Sequence, residues 1–189
     1  MRPAFDALFD IDEAMGDVVG RSTQPALAAI KLAWWRERLE GLDEGEVPAE
    51  PRLQVVASEL LPRGISGRQL SELEEGWAAL LQEAPDPEAA LARGRTLFRM
   101  AARLLASDPP QSLEFLETAG ALYAAGTLSR RGLAPGGLFA TTEIPRVPSG
   151  FRALTGLAAL AGRDLGRREA EGTPARAWTL LRHRLTGRI

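Results

Sequence analysis

Four carboxylates recur near the start of the chain at intervals of 4, 3 and 4 residues: Asp6, Asp10, Glu13 and Asp17. On a helix these spacings put all four on one face. A line of carboxylates can coordinate Mg2+, which takes oxygen ligands and bridges to substrate phosphates. The same spacing also describes the solvated side of an amphipathic helix. Ala4, Leu8, Ile11, Met15 and Val18 recur at 4, 3, 4 and 3 on nearly the opposite face. Acids near a helix start are also favoured by the positive end of its dipole.

His183 is the only histidine, and cysteine is absent. Disulfides, thiolate metal sites and cysteine nucleophiles are therefore excluded, and a lone histidine cannot seed a zinc site of the usual composition. In Leu181-Arg182-His183-Arg184-Leu185 the expectation is a surface histidine on a basic helix. Arg130-Arg131 at a helix end could meet an anion, though arginine there also suits the dipole. Arg176, Arg182, Arg184 and Arg188 around Trp178 make the last helix basic and amphipathic. That pattern fits a membrane surface or an ordinary packed terminal helix. The glycines at 132–137 lack the Gly-Lys-Ser/Thr ending of a phosphate loop and follow no strand. No nucleophile-elbow serine, zinc-helix motif or basic helix-turn-helix is present, so no nucleic-acid partner is expected.

The elements that must position these residues read as helices throughout. The first spans about residues 3–19 and stops at Gly20. The second starts behind Ser22 or Thr23, with Pro25 in its first turn, and ends within residues 41–45. A short third covers about 51–61. Ser66 and Gln69 match a capping box, followed by the stripe Leu70, Leu73, Trp77 and Leu80. Asp86-Pro87 opens a helix to about residue 106, Pro109-Pro110 breaks it, and another runs over about 111–131. Residues 132–149 form a long glycine- and proline-rich loop. Ser149 caps a helix with Phe151, Leu154, Leu157, Leu160 and Leu165 at helical spacing, and Thr173-Pro174 opens the last one. No segment alternates with period two. The expected class is all-α, a single-domain bundle of about eight helices over residues 1–189.

With 45% apolar and 25% charged residues in 189, the composition is that of an ordinary globular domain. No run approaches about 18 consecutive apolar residues, and the start turns acidic without an apolar stretch, so a soluble cytoplasmic protein is expected. The net charge of −2 hides an asymmetry. Residues 1–128 carry −9, whereas residues 129–189 carry +7, from 11 arginines and 4 acids. The basic part could meet diphosphate, anionic lipid or an acidic partner, or pack against the protein's own acidic part.

The second helix holds adjacent tryptophans. One apolar stripe runs Leu27, Ile30, Trp34 and another Ala28, Leu32, Trp35, Leu39, Leu42, so an inner helix contacted on more than one side is expected. Its segment Ile30-Lys31-Leu32-Ala33-Trp34-Trp35-Arg36-Glu37-Arg38-Leu39-Glu40 resembles the Ile-Arg-Leu-x-Trp-Trp-Arg-Glu/Asp-x-Leu-Glu signature of squalene/phytoene synthase-like proteins. The similarity is clearest over residues 8–42. It continues more loosely through Pro48-Ala49-Glu50-Pro51 and Gly94-Arg95-Thr96-Leu97-Phe98.

The resemblance implies the isoprenoid synthase fold, helices around a prenyl-chain cavity. Active members join two prenyl diphosphates head to head, with two aspartate-rich motifs holding Mg2+ against the diphosphates. Asp12, Glu13 and Asp17 stand where the first motif falls, as the candidate catalytic and metal-binding residues. Asp12 lies off the four-carboxylate line. The second motif falls on Gly120–Arg131, which contains no acid; Arg130 and Arg131 are its candidate diphosphate ligands. The chain is also much shorter than active members. It looks more like the divergent branches without full motifs, among them relatives of a mitochondrial complex I assembly factor. The expectation is a non-catalytic protein binding a prenyl diphosphate, a lipid or a protein partner, with no cofactor. The alternatives are a Mg2+-dependent prenyltransferase, and a peripheral membrane or assembly factor docking through the arginine-rich C-terminal helix.

Overall fold

The computed structural model describes residues 2–106, 114–134, 144, 146–167 and 169–189. Nine α-helices and three 3-10 turns are found among the described residues, and no strand: the protein is all-α. The helices are α1 (Arg2–Arg21), α2 (Pro25–Leu42), α3 (Pro51–Glu59), α4 (Gly67–Ser71), α5 (Leu73–Ala78), α6 (Pro87–Leu105), α7 (Glu114–Arg131), α8 (Arg152–Gly166) and α9 (Pro174–Thr186).

Local punctuation explains most boundaries. Ser66 Oγ accepts from Gln69 N at 3.1 Å and Gln69 Oε1 accepts from Ser66 N at 3.2 Å, the expected reciprocal cap of α4. Asp86 Oδ1 accepts from Glu88 N and Ala89 N at the start of α6, and Thr173 Oγ1 from Arg176 N at the start of α9. Other boundaries differ from expectation. Gly20 does not end α1, which continues to Arg21. Ser22 then bonds Gln24 N and Gln24 O through its Oγ, making a turn rather than a cap, and Gln24 is the N-cap of α2. Ser149 opens a 3-10 turn (Ser149–Phe151) without a side-chain cap. The stripe Leu70–Leu73–Trp77–Leu80 spans α4, α5 and a 3-10 turn (Ala79–Leu81) instead of one helix. The expected break at Pro109-Pro110, the helix start at 111 and most of the 132–149 loop lie outside the described residues.

The chain divides into two compact units, Met1–Arg93 and Gly94–Ile189. In the first, α1 packs on α2, α3 and α5, and α2 also on α4. Leu8, Ile11, Met15, Leu32, Leu39, Leu53, Val56 and Trp77 are fully buried there. Asp43, just past α2, accepts from Gly67 N at 2.7 Å and Arg68 N at 2.9 Å, so it caps α4 from outside that helix.

In the second unit α7 packs on α8, and α8 on α9. The α7 interfaces are built from small residues. A Cβ on Gly120 would stand 2.3 Å from Gly94 O, and one on Gly126 would stand 2.5 Å from Ala161 Cβ. Both positions therefore require glycine. On α8 the buried face is Leu154, Thr155, Ala158, Ala159, Ala161 and Asp164, while Leu157 and Leu165 are exposed. Of the expected stripe Phe151 and Leu154 are buried, and Ala161 of α8 meets Gly126 of α7.

Candidate functional site

Asp12 sits on the inner side of α1, buried with Ala4, Leu8, Ile11 and Met15. Its Oδ1 accepts from Trp77 Nε1 at 3.0 Å and from Arg93 Nη1, an ion pair between two fully buried side chains. The Arg93 guanidinium lies 3.9 Å from the centre of the Trp77 ring, so the indole covers the cation that its N–H helps to anchor. Gly76 makes room for this arrangement: a Cβ there would stand 2.5 Å from Arg93 Cβ. A buried carboxylate already neutralised by a guanidinium attracts a second cation only weakly, because the guanidinium repels it; it is a poor ligand for Mg2+.

The other expected acids stand elsewhere. Asp6, Asp10 and Glu13 are exposed on the far side of α1 and Asp17 is half-buried. Arg2 pairs with Asp6 at 3.6 Å and Arg21 with Asp17 at 3.0 Å, both one helical turn away. The four-carboxylate line is thus the solvated face of α1, and Asp12 points away from Glu13 and Asp17. No group of three or more histidines or acids that could hold a metal occurs among the described residues.

A second acid is unusual. Glu74 on α5 is buried, with Arg36 at 3.5 Å, and burial raises its pKa above the ordinary 4.5. Arg36 opposes this shift, while Glu75 and Glu40 add to it. Glu40 itself accepts from Ser71 Oγ at 3.2 Å.

In the second unit Arg130 is held by carboxylates. Its Nη1 is 3.3 Å from Asp164 Oδ2 and its Nη2 2.9 Å from Glu171 Oε1. Asp164, buried on α8, also accepts from Arg176 of α9 through Oδ1. Nearby, Arg163 binds Glu169 with both nitrogens at 2.8 and 2.6 Å, which holds the Glu169 carboxyl below its usual range. Arg130 is therefore the hub of a network tying α7, α8 and the start of α9, where a diphosphate ligand was expected. Arg131, half-exposed beside it, also takes part in an interaction.

His183 corrects the sequence reading most clearly, because it is buried rather than on the surface. Its Nε2 lies 2.8 Å from Thr155 Oγ1 and its Nδ1 donates to Arg188 O at 3.0 Å. Thr155 Oγ1 also donates to Phe151 O, so the ring stitches α9 to α8. Arg176 is likewise buried, leaving Arg182, Arg184 and Arg188 as the exposed arginines of this segment. Trp178 is 64% exposed and Leu185 68%, with Leu181 exposed between them. Helix α9 packs on α8 as a terminal helix, yet Trp178, Leu181 and Leu185 are not part of the packed face. The face of α9 toward α8 includes Arg176, His183 and Leu180, and its outward face carries Trp178, Leu181 and Leu185 with Arg182 and Arg184.

On α2 the stripe Ala28, Leu32, Trp35, Leu39 and Leu42 is buried, while Leu27, Ile30 and Trp34 are exposed. The helix is covered on one side rather than two. Among the described residues no helix is long and apolar enough to cross a membrane.

No family model, no curated protein and no solved structure matches this chain.

Proposed function

We propose that this protein acts by binding rather than by catalysis, as a short, divergent relative of the squalene/phytoene synthase-like group. On this reading it works in the cytoplasm and keeps the helix-bundle scaffold while its carboxylates and arginines serve the fold. No cofactor is part of the reading, and its ligand is a prenyl or other lipid, or a protein partner.

The observation that carries this reading is the buried trio Asp12, Trp77 and Arg93, in which the carboxylate is already paired. Head-to-head condensation needs carboxylates free to hold Mg2+ against two diphosphates. Asp12 already carries an arginine, and the helix Glu114–Arg131 has no acid after Glu117. The test is incubation of the purified chain with farnesyl and geranylgeranyl diphosphate and Mg2+. The expected result is no squalene- or phytoene-type product and no release of diphosphate. Turnover above a heat-denatured control contradicts the reading.

The peripheral-docking alternative is favoured by a separate observation, the apolar outward face of α9. It is compatible with the first reading, because a scaffold without chemistry needs a surface on which to act.

A further inference from the structure

Helix α9 is seated by polar groups. Arg176 pairs with buried Asp164, and His183 bonds Thr155 Oγ1 and Arg188 O. Gly187, left-handed at φ 70°, closes the helix end by donating to His183 O at 2.7 Å. Its own carbonyl accepts from Val147 N at 2.9 Å, and Arg152 Nη1 donates to Arg184 O and Leu185 O. Turning the helix over to bury Trp178 would leave Arg176, Asp164 and His183 without these partners. The exposure of Trp178, Leu181 and Leu185 is therefore set by specific bonds, not by want of a place to pack.

These three side chains fall at i, i+3 and i+7, one line along the helix. Arg182 and Arg184 lie on either flank of the line, and Arg188 follows the Gly187 turn. No acid occurs anywhere in Pro174–Thr186. The unit Gly94–Ile189 carries 14 arginines against 7 acids, so its field reinforces the positive flanks. The complement of such a surface is anionic and apolar together. A stable protein interface takes about 20 residues a side, far more than this narrow line offers. A bilayer accepts a single helix lying flat, with Trp and Leu at the acyl boundary and arginines reaching the phosphates.

We propose that the outward face of α9 docks reversibly on an anionic phospholipid bilayer, Trp178, Leu181 and Leu185 entering the interface and Arg182, Arg184 and Arg188 binding headgroup phosphates. This deepens the binding reading above by naming what is bound.

The test is co-sedimentation of the full chain with phosphatidylcholine vesicles and with vesicles containing added phosphatidylserine, at low and high salt. Binding to the phosphatidylserine vesicles at low salt is expected, weakened by salt and absent with phosphatidylcholine alone. Arg182→Gln and Arg184→Gln should each weaken it about fivefold. Trp178→Glu with Leu185→Glu should abolish it, and these exposed positions leave the helical circular dichroism unchanged. No sedimentation of the wild-type chain at low salt overturns the proposal, as does binding that both variant sets leave intact. A chain that ignores vesicles but dimerises until Trp178→Glu is introduced assigns the face to a second copy, which also overturns it. Prenyl diphosphate turnover is scored separately: vesicle binding with turnover defeats only the non-catalytic reading, and neither binding nor turnover defeats only the bilayer.

Discussion

At Asp12 one carboxylate oxygen accepts from both the Trp77 indole N–H and Arg93 Nη1, all of them buried. Breaking such a pair from one side leaves a buried charge alone. Asp12→Ala is expected to lower stability by about 3–5 kcal/mol in denaturant unfolding. Replacing Arg93 by Met in the same chain should recover much of that loss, since the stranded cation is then gone. Glu74 gives the opposite sign. Its folded-state pKa lies above 4.5, so the folded protein holds a proton there that the unfolded chain has released. Stability therefore falls as pH rises from about 4.5 through the folded-state value, and the penalty is complete above it. Glu74→Gln should raise the unfolding midpoint at neutral pH and leave it unchanged below the ordinary carboxylate range. Its lost pairing with half-exposed Arg36 is worth little, about 0–1 kcal/mol. The role of Asp12 was partly legible in the sequence. It sits four residues after Leu8 and beside Ile11, inside the apolar stripe, where an acid must have a partner. Which partner was not legible, because Trp77 and Arg93 lie 65 and 81 residues away.

The tryptophan pair shows how an element uses two neighbouring side chains differently. Trp35 is 7% exposed on the buried stripe of α2, and Trp34 is 39% exposed beside it, edge-on at 5.1 Å. Trp35→Ala should cost about 3–5 kcal/mol in chemical unfolding. Trp34→Ala should cost under about 1 kcal/mol, and equal losses would mean that both stripes are covered. On α7 the limit is the backbone. Gly120→Ala drives a methyl into the Gly94 carbonyl region and should cost about 3 kcal/mol. Helix existence and most starts were legible, because Pro25, Pro51, Ser66, Asp86 and Thr173 act on their own next few residues. The covered face of each helix was not. On α2 and α9 two faces compete, and on α9 the line Trp178, Leu181 and Leu185 faces out. The choice there is made by Asp164 and Thr155 of α8, through contacts that periodicity does not carry.

Across the molecule, the two compact units carry opposite net charge. Met1–Arg93 carries −9 and Gly94–Ile189 +7. The acidic unit places its carboxylates on the solvated faces of α1 and around α2, α4 and α5, whereas the basic unit turns Asp164, Glu169 and Glu171 onto Arg176, Arg163 and Arg130. Arg182, Arg184 and Arg188, beside the apolar line of α9, are among the exposed arginines of the basic unit. On the proposed reading Asp12 and Arg130 serve the fold and no metal diphosphate is bound. The most direct test is the thermal unfolding midpoint of the wild-type chain with Mg2+, inorganic diphosphate, and both together. A ligand at 100 times its Kd adds about 2.7 kcal/mol to a folded protein that binds it, a shift easily seen. No shift is expected under any of the three conditions. A rise that requires both Mg2+ and diphosphate, and that Glu13→Gln with Asp17→Asn removes, would contradict the reading.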